Sequence, residues 1–342
     1  MDLRLVEVVL SVDSVSRIPE LLAKHRTLGI WDESLDDAHR LSRILTTADE
    51  VEAIVDRVQN AFGERPDLRI LVFRVEATIP TPQEDEETED SDATPQRVSR
   101  HELYAAISKS ADLSSTFLIL IVLSTIVAGI GLIRDSVAII IGAMVMAPLL
   151  GPNVSLALAT TLGDTDLAKK SLKTNIVGVG FAFVLACSIG LLFQPSMASE
   201  EIASRTVVGM SDPLLALAAG CAGVLAYTTG APTSLIGVMV AVALLPPLAV
   251  SGMMLTGGHY SEAGGAALLV LVNVICVNLA GVVTFLAKGI GPRRWWEADR
   301  ARRASQIAIV IWLGLLAVLI AIIAGLGQSG WWHFLTHTNR SS

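Results

Sequence analysis

Long apolar stretches after Asp112 constrain the fold of this chain more than any other feature of its sequence. A helix that crosses a bilayer needs about 20 consecutive apolar residues. Hydrophobic residues make up 52% of the chain and charged residues only 17%, and the mean hydropathy of +0.59 is typical of membrane proteins. The sequence therefore predicts a multi-pass α-helical membrane protein with about seven spans, at residues 113–133, 136–162, 175–193, 212–229, 232–256, 264–287 and 304–326.

Lysine and arginine in the connecting segments predict the orientation of these spans. If the N-terminus is cytoplasmic, the segments on the opposite side of the membrane contain only Arg134, Arg205 and Arg340. The cytoplasmic segments then contain Lys109, Lys169, Lys170, Lys173, Lys288, Arg293, Arg294, Arg300, Arg302 and Arg303. We therefore expect a protein of the cytoplasmic (inner) membrane with its N-terminus in the cytoplasm and its C-terminus outside.

Residues 1–80 have the pattern of a small α+β domain ahead of the spans. Alternating stretches such as "LRLVEVVLSV" indicate strands, and "ADEVEAIVDRVQNAFG" has the spacing of an amphipathic helix. The order βαββαβ predicts an N-terminal ferredoxin-like domain, a fold that does not specify a function by itself. Residues 81–98, which include "EDEETEDSD", are predicted to form an acidic flexible linker.

Two similar proline-containing motifs occur in different apolar stretches. "IGAMVMAPLLGP" ends at Pro152 and "IGVMVAVALLPP" ends at Pro247, and a constant offset aligns their glycines, methionines, leucine pairs and final prolines. The same offset aligns spans one to three (113–193) with spans four to six (212–287). Because each unit has an odd number of spans, the second unit enters the membrane from the opposite side. The transmembrane core at 110–290 is therefore predicted to be an inverted repeat, and 304–326 an additional helix.

Proline inside a spanning helix removes a backbone donor and clashes with the carbonyl four residues earlier. Such breaks are tolerated where the freed groups are buried in protein or line a hydrated cavity. We expect corresponding breaks at Pro148 and Pro152 in the second span and at Pro246 and Pro247 in the fifth. Two interpretations remain open, namely a kink filled by neighbouring helices and a site for ligand binding or permeation.

Polar residues near the two predicted breaks complete the candidate permeation or ligand site. Its residues are Pro148, Pro152, Asn153, Ser155, Thr228, Thr229, Ser234, Pro246, Pro247 and Asn273. Hydroxyl and amide groups of this kind bind cations or polar solutes, but they also pair helices with one another. Arg134 and Asp135, at the end of a span, are predicted either to form a local ion pair or to gate an outer vestibule.

Three segments resemble a family of bacterial and archaeal membrane proteins known as domain of unknown function 389. They are "GLIRDSVAIIIGAMVMAPLLGP", "VALLPPLAVSG" and "LVNVICVNLAG", and the N-terminal "RLVEVVLSVDSVSRIPELL" and "FRVEATIP" are similar to that family's usual soluble domain. Asn153 stands where the family motif leads us to expect an apolar residue. The resemblance implies a membrane location and a shared architecture, and it provides no functional residues.

The sequence disfavours several other classes of function. Ionisable residues are nearly absent from the span centres, which argues against proton coupling. No phosphate-binding loop or nucleophile elbow is present, so we expect no enzyme activity, catalytic residue, cofactor or metal site. We also expect no nucleic-acid binding, because the soluble domain lacks a basic face. The expected partners are membrane lipids, further copies in a homo-oligomer, and an unidentified small solute or ion.

The favoured hypothesis is a transporter or channel for that solute, with the cytoplasmic domain as a regulator. The alternative is a membrane-anchored sensor or assembly scaffold without transport, whose soluble domain binds a ligand or self-associates. An intramembrane enzyme is a third hypothesis, and the absence of a catalytic constellation at membrane depth weakens it.

Overall fold

A computed structural model of the chain describes residues 3–63, 65, 67–75, 78, 100–194, 199–209, 211–229, 233–291, 306–307, 309–323 and 325, without the side chains of residues 13, 15, 100, 101 and 233–243. The predicted linker at 81–98, the side chain of Ser234 and residues 326–342 lie outside the described part. The chain divides into two compact units. One comprises residues 1–105 with 228–230, and the other residues 106–227 with 231–342.

The first unit contains a four-stranded antiparallel sheet with the strand order β2-β3-β1-β4. Its elements are β1 (Leu3–Ser11), α1 (Val12–Val15), α2 (Ile18–Leu21), β2 (Thr27–Ser34), β3 (His39–Thr47), α3 (Val51–Phe62) and β4 (Arg69–Val75). This is the predicted order of strands and helices, except that the first helix is split in two. Pro19 lies in the first turn of α2, where its missing N–H is tolerated, so the chain starts a new helix there.

One face of the sheet packs against α3 to form the core of this unit. The inward side chains of β1, including Val6, Val8 and Leu10, are fully buried. The predicted apolar face of α3 is buried with them, because its residues recur at helical spacing. Gly63 ends α3 with φ +68°, a left-handed conformation that glycine adopts without steric cost.

A further helix, α4 (Arg100–Ser110), was not predicted from the sequence. Its charged and small residues give no continuous apolar stripe, so the periodicity that reveals amphipathic helices is weak here. The second unit continues with α5 (Ser115–Ile133), α6 (Val137–Met146), α7 (Leu150–Leu162), α8 (Thr165–Phe193), α9 (Glu200–Ala203), α10 (Ser211–Thr229), α11 (Thr233–Thr256) and α12 (Tyr260–Ala287). A described helix α13 follows at Ile309–Ile323.

Within the described residues, four helices are long and apolar enough to cross a membrane, namely α5, α8, α10 and α12. The pair α6 and α7 adds a fifth crossing if it forms one span. Shorter described apolar helices at Leu244–Thr256, in α11, and at Ile309–Ile323 lie within the remaining two predicted spans. The third predicted span is longer than expected, because α8 already begins at Thr165.

The two predicted helix breaks have different outcomes. Helices α6 and α7 are separated at 147–149 and bent by 52°. Ala147, immediately before Pro148, is extended with ψ 118°, as expected when the proline ring disfavours the helical conformation of the preceding residue. The second predicted break is wrong, because α11 runs continuously from Thr233 to Thr256 with Pro246 and Pro247 inside it. Helix α11 packs against α8 and α12, and both prolines are buried within it.

The boundaries of these helices recur 95 positions further along the chain. Gly163, which ends α7, has φ +69°, and Gly258, which follows α11, has φ +80°. The next residue in each case makes the same hydrogen bond: Asp164 N donates to Ala159 O at 2.9 Å and His259 N to Met254 O at 3.0 Å. Helices α8 and α12 then begin at the corresponding positions 165 and 260.

Candidate functional site

The break between α6 and α7 opens into a cavity of about 420 Å³ within the second unit. Pro148 lies at the break itself, and the last turn of α6 and the first turn of α7 form one wall. The lining residues are Lys109, Ser110, Asp112, Ser114, Thr116, Phe117, Leu120, Val145, Met146, Ala147, Pro148, Leu150, Gly151 and Tyr227. Cavities of this size are large enough for a small organic solute or a hydrated ion.

A close contact holds the start of α7 against the end of α4. A Cβ atom added to Gly151 would lie 2.8 Å from the Cβ of Ser110 and 3.3 Å from its carbonyl oxygen. Only glycine therefore permits this approach of the two backbones. The Ser110 hydroxyl is directed to Ile107 O, to which it donates at 2.6 Å. The shape of the cavity thus depends on backbone packing as well as on Pro148.

Charged groups line the cavity where α4 ends and α5 begins. Asp112 Oδ1 lies 2.6 Å from Lys170 Nζ, although both side chains are about half exposed, so solvent screening limits the strength of this ion pair. Lys109 is an additional exposed cation on the lining. Among the described residues there is no cluster of three or more histidine, cysteine or acidic side chains with the geometry of a metal site.

A buried pair of asparagines joins α7 to α12. Asn278 Nδ2 donates to Asn153 Oδ1 at 3.1 Å and to Val274 O at 2.9 Å. Asn153 Nδ2 in turn donates to Leu149 O at 2.8 Å, a carbonyl within the break. Asn153 is 2% exposed and Asn278 is fully buried. The pair is therefore connected by hydrogen bonds to the backbone that Pro148 interrupts.

A second buried polar contact joins α7 to α8. Ser171 Oγ and Ser155 Oγ are hydrogen-bonded at 2.9 Å, and both residues are fully buried. One turn further along α8, the Thr174 hydroxyl donates to Ala111 O at 2.7 Å. These contacts satisfy hydroxyl groups inside an apolar bundle, where an unpaired hydroxyl is costly. Ser155 therefore has a structural partner here.

The structure brings together only part of the predicted site. Pro148 lines the cavity, whereas Pro152 is buried within the first turn of α7. Asn273 is also buried, but Asn153 pairs with Asn278. The remaining predicted residues do not line this cavity or are undescribed. Pro246 and Pro247 are buried inside α11. At the end of α10, Thr228 is buried and Thr229 is exposed, and the side chain of Ser234 is outside the described residues.

Sequence reasoning missed Lys109, Ser110, Asp112 and Ser171 as site residues. The first three stand at the edge of the first apolar stretch, where polar residues are expected for any span, so they carried no specific signal. Ser171 lies on the polar first part of α8, outside the predicted span. Asn278 was recognisable as an amide within an apolar stretch, but its partner depends on how the helices pack.

We expect the two asparagines to be coupled in stability. Asn153→Leu leaves a buried amide hydrogen of Asn278 without its acceptor and should reduce the free energy of unfolding by about 1–2 kcal/mol. Asn278→Leu should have a similar effect, and the double variant should lose clearly less than the sum of both. Reversible unfolding of purified protein, analysed as a double-mutant cycle, measures this coupling. Additive losses would show that the pair contributes no specific interaction.

Asp135, predicted to pair with Arg134 or to act in a gate, caps α9. Its Oδ1 accepts from Ser199 Oγ at 2.6 Å and from Glu201 N at 2.9 Å. Among the described residues, no ion pair joins Asp135 to Arg134, so the predicted local pair is wrong. The pKa of the Asp135 carboxyl is held below its usual value, mainly by the hydrogen bond from the Ser199 hydroxyl and to a smaller extent by the one from the Glu201 backbone N–H. Both donors favour the ionised carboxylate.

This cap predicts a pH dependence of stability. Because the pKa of Asp135 is lower in the folded protein, its contribution is present above the usual value of 3.8 and is lost as the pH falls through the lowered pKa. Asp135→Asn keeps a side chain that tolerates the φ of +50° at this position. The variant should be less stable than wild type at pH 7, and thermal unfolding at decreasing pH should show the difference shrinking below about pH 4. Asp166→Asn, at an exposed position, provides the control.

A family model described as Domain of unknown function (DUF389) matches residues 144–279. A protein of Methanocaldococcus jannaschii, named Uncharacterized protein MJ0678, is 39% identical over 281 residues, which cover 82% of this chain and 86% of that protein. No solved structure matches the chain. The matched segment includes the break at 147–149 and both asparagines of the buried pair.

Proposed function

The chain belongs to the family described as domain of unknown function 389, and from that premise we propose that it is a transporter or channel for a small solute or ion. The observation that carries this proposal is the cavity of about 420 Å³ at the broken helix. Irregular backbone at membrane depth is tolerated where it lines a cavity or is buried in protein. Discontinuous helices are a recurrent means of forming solute sites in transporters.

The broken pair has the dimensions of a single span. The 10 residues of α6 and the 13 residues of α7 extend about 15 Å and about 20 Å at 1.5 Å per residue. A bend of 52° largely preserves the direction of the chain, whereas a re-entrant loop reverses it. We infer that α6 and α7 cross the membrane together, so that the first repeat, at residues 113–193, has three crossings.

An inverted repeat of three plus three spans accounts for the recurrence of helix boundaries 95 positions apart. Reciprocal close contacts support it. A Cβ added to Gly281 of α12 would lie 2.7 Å from Ala157 of α7, and one added to Gly252 of α11 would lie 2.7 Å from Ala186 of α8. Under the offset, 157 corresponds to 252 and 186 to 281, so the same contact is made twice with the two repeats exchanged. Three crossings per repeat then give the two repeats opposite orientations.

The remaining assignments follow from this arrangement. We propose a location in the cytoplasmic (inner) membrane with the N-terminus in the cytoplasm and the C-terminus outside, seven spans in all, and a homo-oligomer surrounded by lipid. The strand order β2-β3-β1-β4 supports a ferredoxin-like fold for the first unit. We propose no enzymatic role, in keeping with the scarcity of ionisable groups in the spans.

Flux measurements on reconstituted protein test the proposal. Purified full-length protein in liposomes is assayed with a panel of inorganic ions, small carboxylates and neutral metabolites, and protein-free liposomes are the control. At least one solute should cross faster in the proteoliposomes. Flux equal to that of protein-free liposomes for every solute, with the protein folded and inserted in both orientations, would contradict transport.

A membrane-anchored sensor or scaffold is the second candidate. Apolar side chains exposed on the sheet of the first unit favour it, namely Trp31, Leu71 and Phe73, each about half exposed. Such exposure is typical of interaction surfaces. Deleting residues 1–92 discriminates between the candidates, because a transporter retains some flux whereas a scaffold loses its assembly. Loss of oligomers in that variant, without flux in either protein, would favour the scaffold.

A further inference from the structure

We propose that Asn278 and Asn153 form a binding site for a monovalent cation where α7 crosses α12. The inference deepens the proposed function, because it names the chemical class of a transported or coupling ion. It rests on an unpaired acceptor, on a difference between the two repeats and on the absence of aspartate, glutamate, lysine, arginine and histidine from residues 136–163 and 264–287.

The first observation is the carbonyl oxygen of the Asn278 side chain. Asn278 is fully buried, and this oxygen has no hydrogen-bond partner among the described residues. The orientation of the amide is fixed by its nitrogen, which donates to two acceptors, Asn153 Oδ1 and Val274 O. Turning the amide around would place its oxygen against both of these oxygens. Asn278 Oδ1 is therefore a buried acceptor that a cation can pair with.

Asn153 extends the site toward the break. Its oxygen accepts one hydrogen bond from Asn278 and retains a second lone pair. Its nitrogen donates to Leu149 O, and this hydrogen bond to a carbonyl within the break orients the Asn153 amide.

The second observation is the asymmetry between the repeats. At the positions that correspond to Asn153 and Asn278 under the 95-residue offset, the chain has Leu248 and Phe183. The apolar residues belong to the crossing of α11 with α8, where α11 is continuous. The amide pair belongs to the crossing that contains the broken helix. The amide pair therefore accompanies the broken helix and is replaced by apolar residues at the crossing with the continuous one.

The charge of the ion follows from its surroundings. Residues 136–163 and 264–287 contain no aspartate, glutamate, lysine, arginine or histidine. The cost of burying an ion rises steeply with its charge, and these two segments supply no carboxylate to balance a second positive charge. Neutral amide and carbonyl oxygens therefore suit a singly charged ion.

Thermal unfolding of full-length protein in lipid nanodiscs tests the site. Choline chloride is replaced stepwise by lithium, sodium, potassium or ammonium chloride at constant ionic strength. A site that binds in the folded state only should raise the Tm of wild type by at least about 3 °C for one of these cations at saturation. The N153L/N278L double variant, which carries an apolar pair like that of the other repeat, should fold and lose this increase.

Thr284→Val is the matched control on the same helix, because its hydroxyl already bonds to Ala280 O at 2.7 Å. It should retain the full dependence on the cation. The proposal is overturned if wild type responds equally to all salts including choline, as expected for a resident water, or if the double variant keeps the response. Flux without a cation-dependent Tm contradicts only this site, whereas a cation-dependent Tm without any flux contradicts only the transport proposal.

Discussion

Replacing Pro148 and Pro152 together with alanine is expected to reduce flux through the protein strongly. Both residues lack a backbone N–H, and Ala147 is extended because Pro148 follows it. Alanine has the highest helix propensity and restores both backbone donors. Helices α6 and α7 should then join into one continuous helix, which removes the irregular wall of the cavity. We expect flux of the best solute to fall at least about tenfold, which corresponds to about 1.4 kcal/mol in the barrier.

The proline pair of α11 provides a matched control for this prediction. Pro246 and Pro247 already lie inside a continuous helix, so Pro246→Ala with Pro247→Ala leaves the helix path unchanged. This variant should keep flux within about twofold of wild type and gain stability, because an interior proline costs about 3 kcal/mol relative to alanine. Flux in proteoliposomes and helix content by circular dichroism are measured for both pairs. Equal loss of flux in the two variants would contradict a special role for the first break.

Gly252→Ala is expected to destabilise the second unit strongly. The new Cβ would lie 2.7 Å from Ala186 Cβ, 2.9 Å from Phe183 O and 3.0 Å from Cys187 N. Because these atoms belong to the backbone of α8 or are attached directly to it, the collision is relieved only by moving the helix. Overpacking of this kind costs about 1–3 kcal/mol. Gly281→Ala should have a comparable effect, since it makes the corresponding contact with Ala157 at 2.7 Å.

Gly180→Ala, unlike Gly252→Ala, should increase the stability of the protein. Gly180 lies on α8 with no neighbouring atom within 4 Å of an added Cβ. Alanine at this helical position removes backbone entropy from the unfolded chain and should stabilise the protein by up to about 1 kcal/mol. The Tm of the three purified variants, compared with wild type in the same lipid, checks these signs. A neutral Gly252→Ala would show that α8 and α11 are not packed as closely as the structure has them.

The positions of the helices in the second unit were largely predictable from the sequence. Of the two predicted helix breaks, only the one at Pro148 is present. The apolar stretches predicted 113–133, 136–162 and 212–229, and the structure has helices at Ser115–Ile133, at Val137–Leu162 with a break, and at Ser211–Thr229. Hydropathy is a local property, so it locates such helices well. The proline motifs look equivalent in the sequence, but only Pro148 separates two helices.

The candidate site shows the same division. Asn153 was predicted to belong to a site, while Asn278, its partner across 125 positions, was not included. The direction of an amide on a helix is fixed by spacing, but the residue that it meets depends on the angle and register at which two helices pack. Lys109 and Asp112 reached the cavity lining for the same reason, since they adjoin the break only after the chain has folded.

The sequence by itself determined that this chain forms apolar helices preceded by a small α+β unit, and that two similar segments recur 95 positions apart. These properties depend on composition and on periodicity along the chain, which neighbouring residues fix locally. The tertiary structure alone decided that α6–α7 breaks while α11 continues, and that Asn153 bonds to Asn278. A proline costs only a few kcal/mol, so contacts with surrounding helices decide whether a helix ends there.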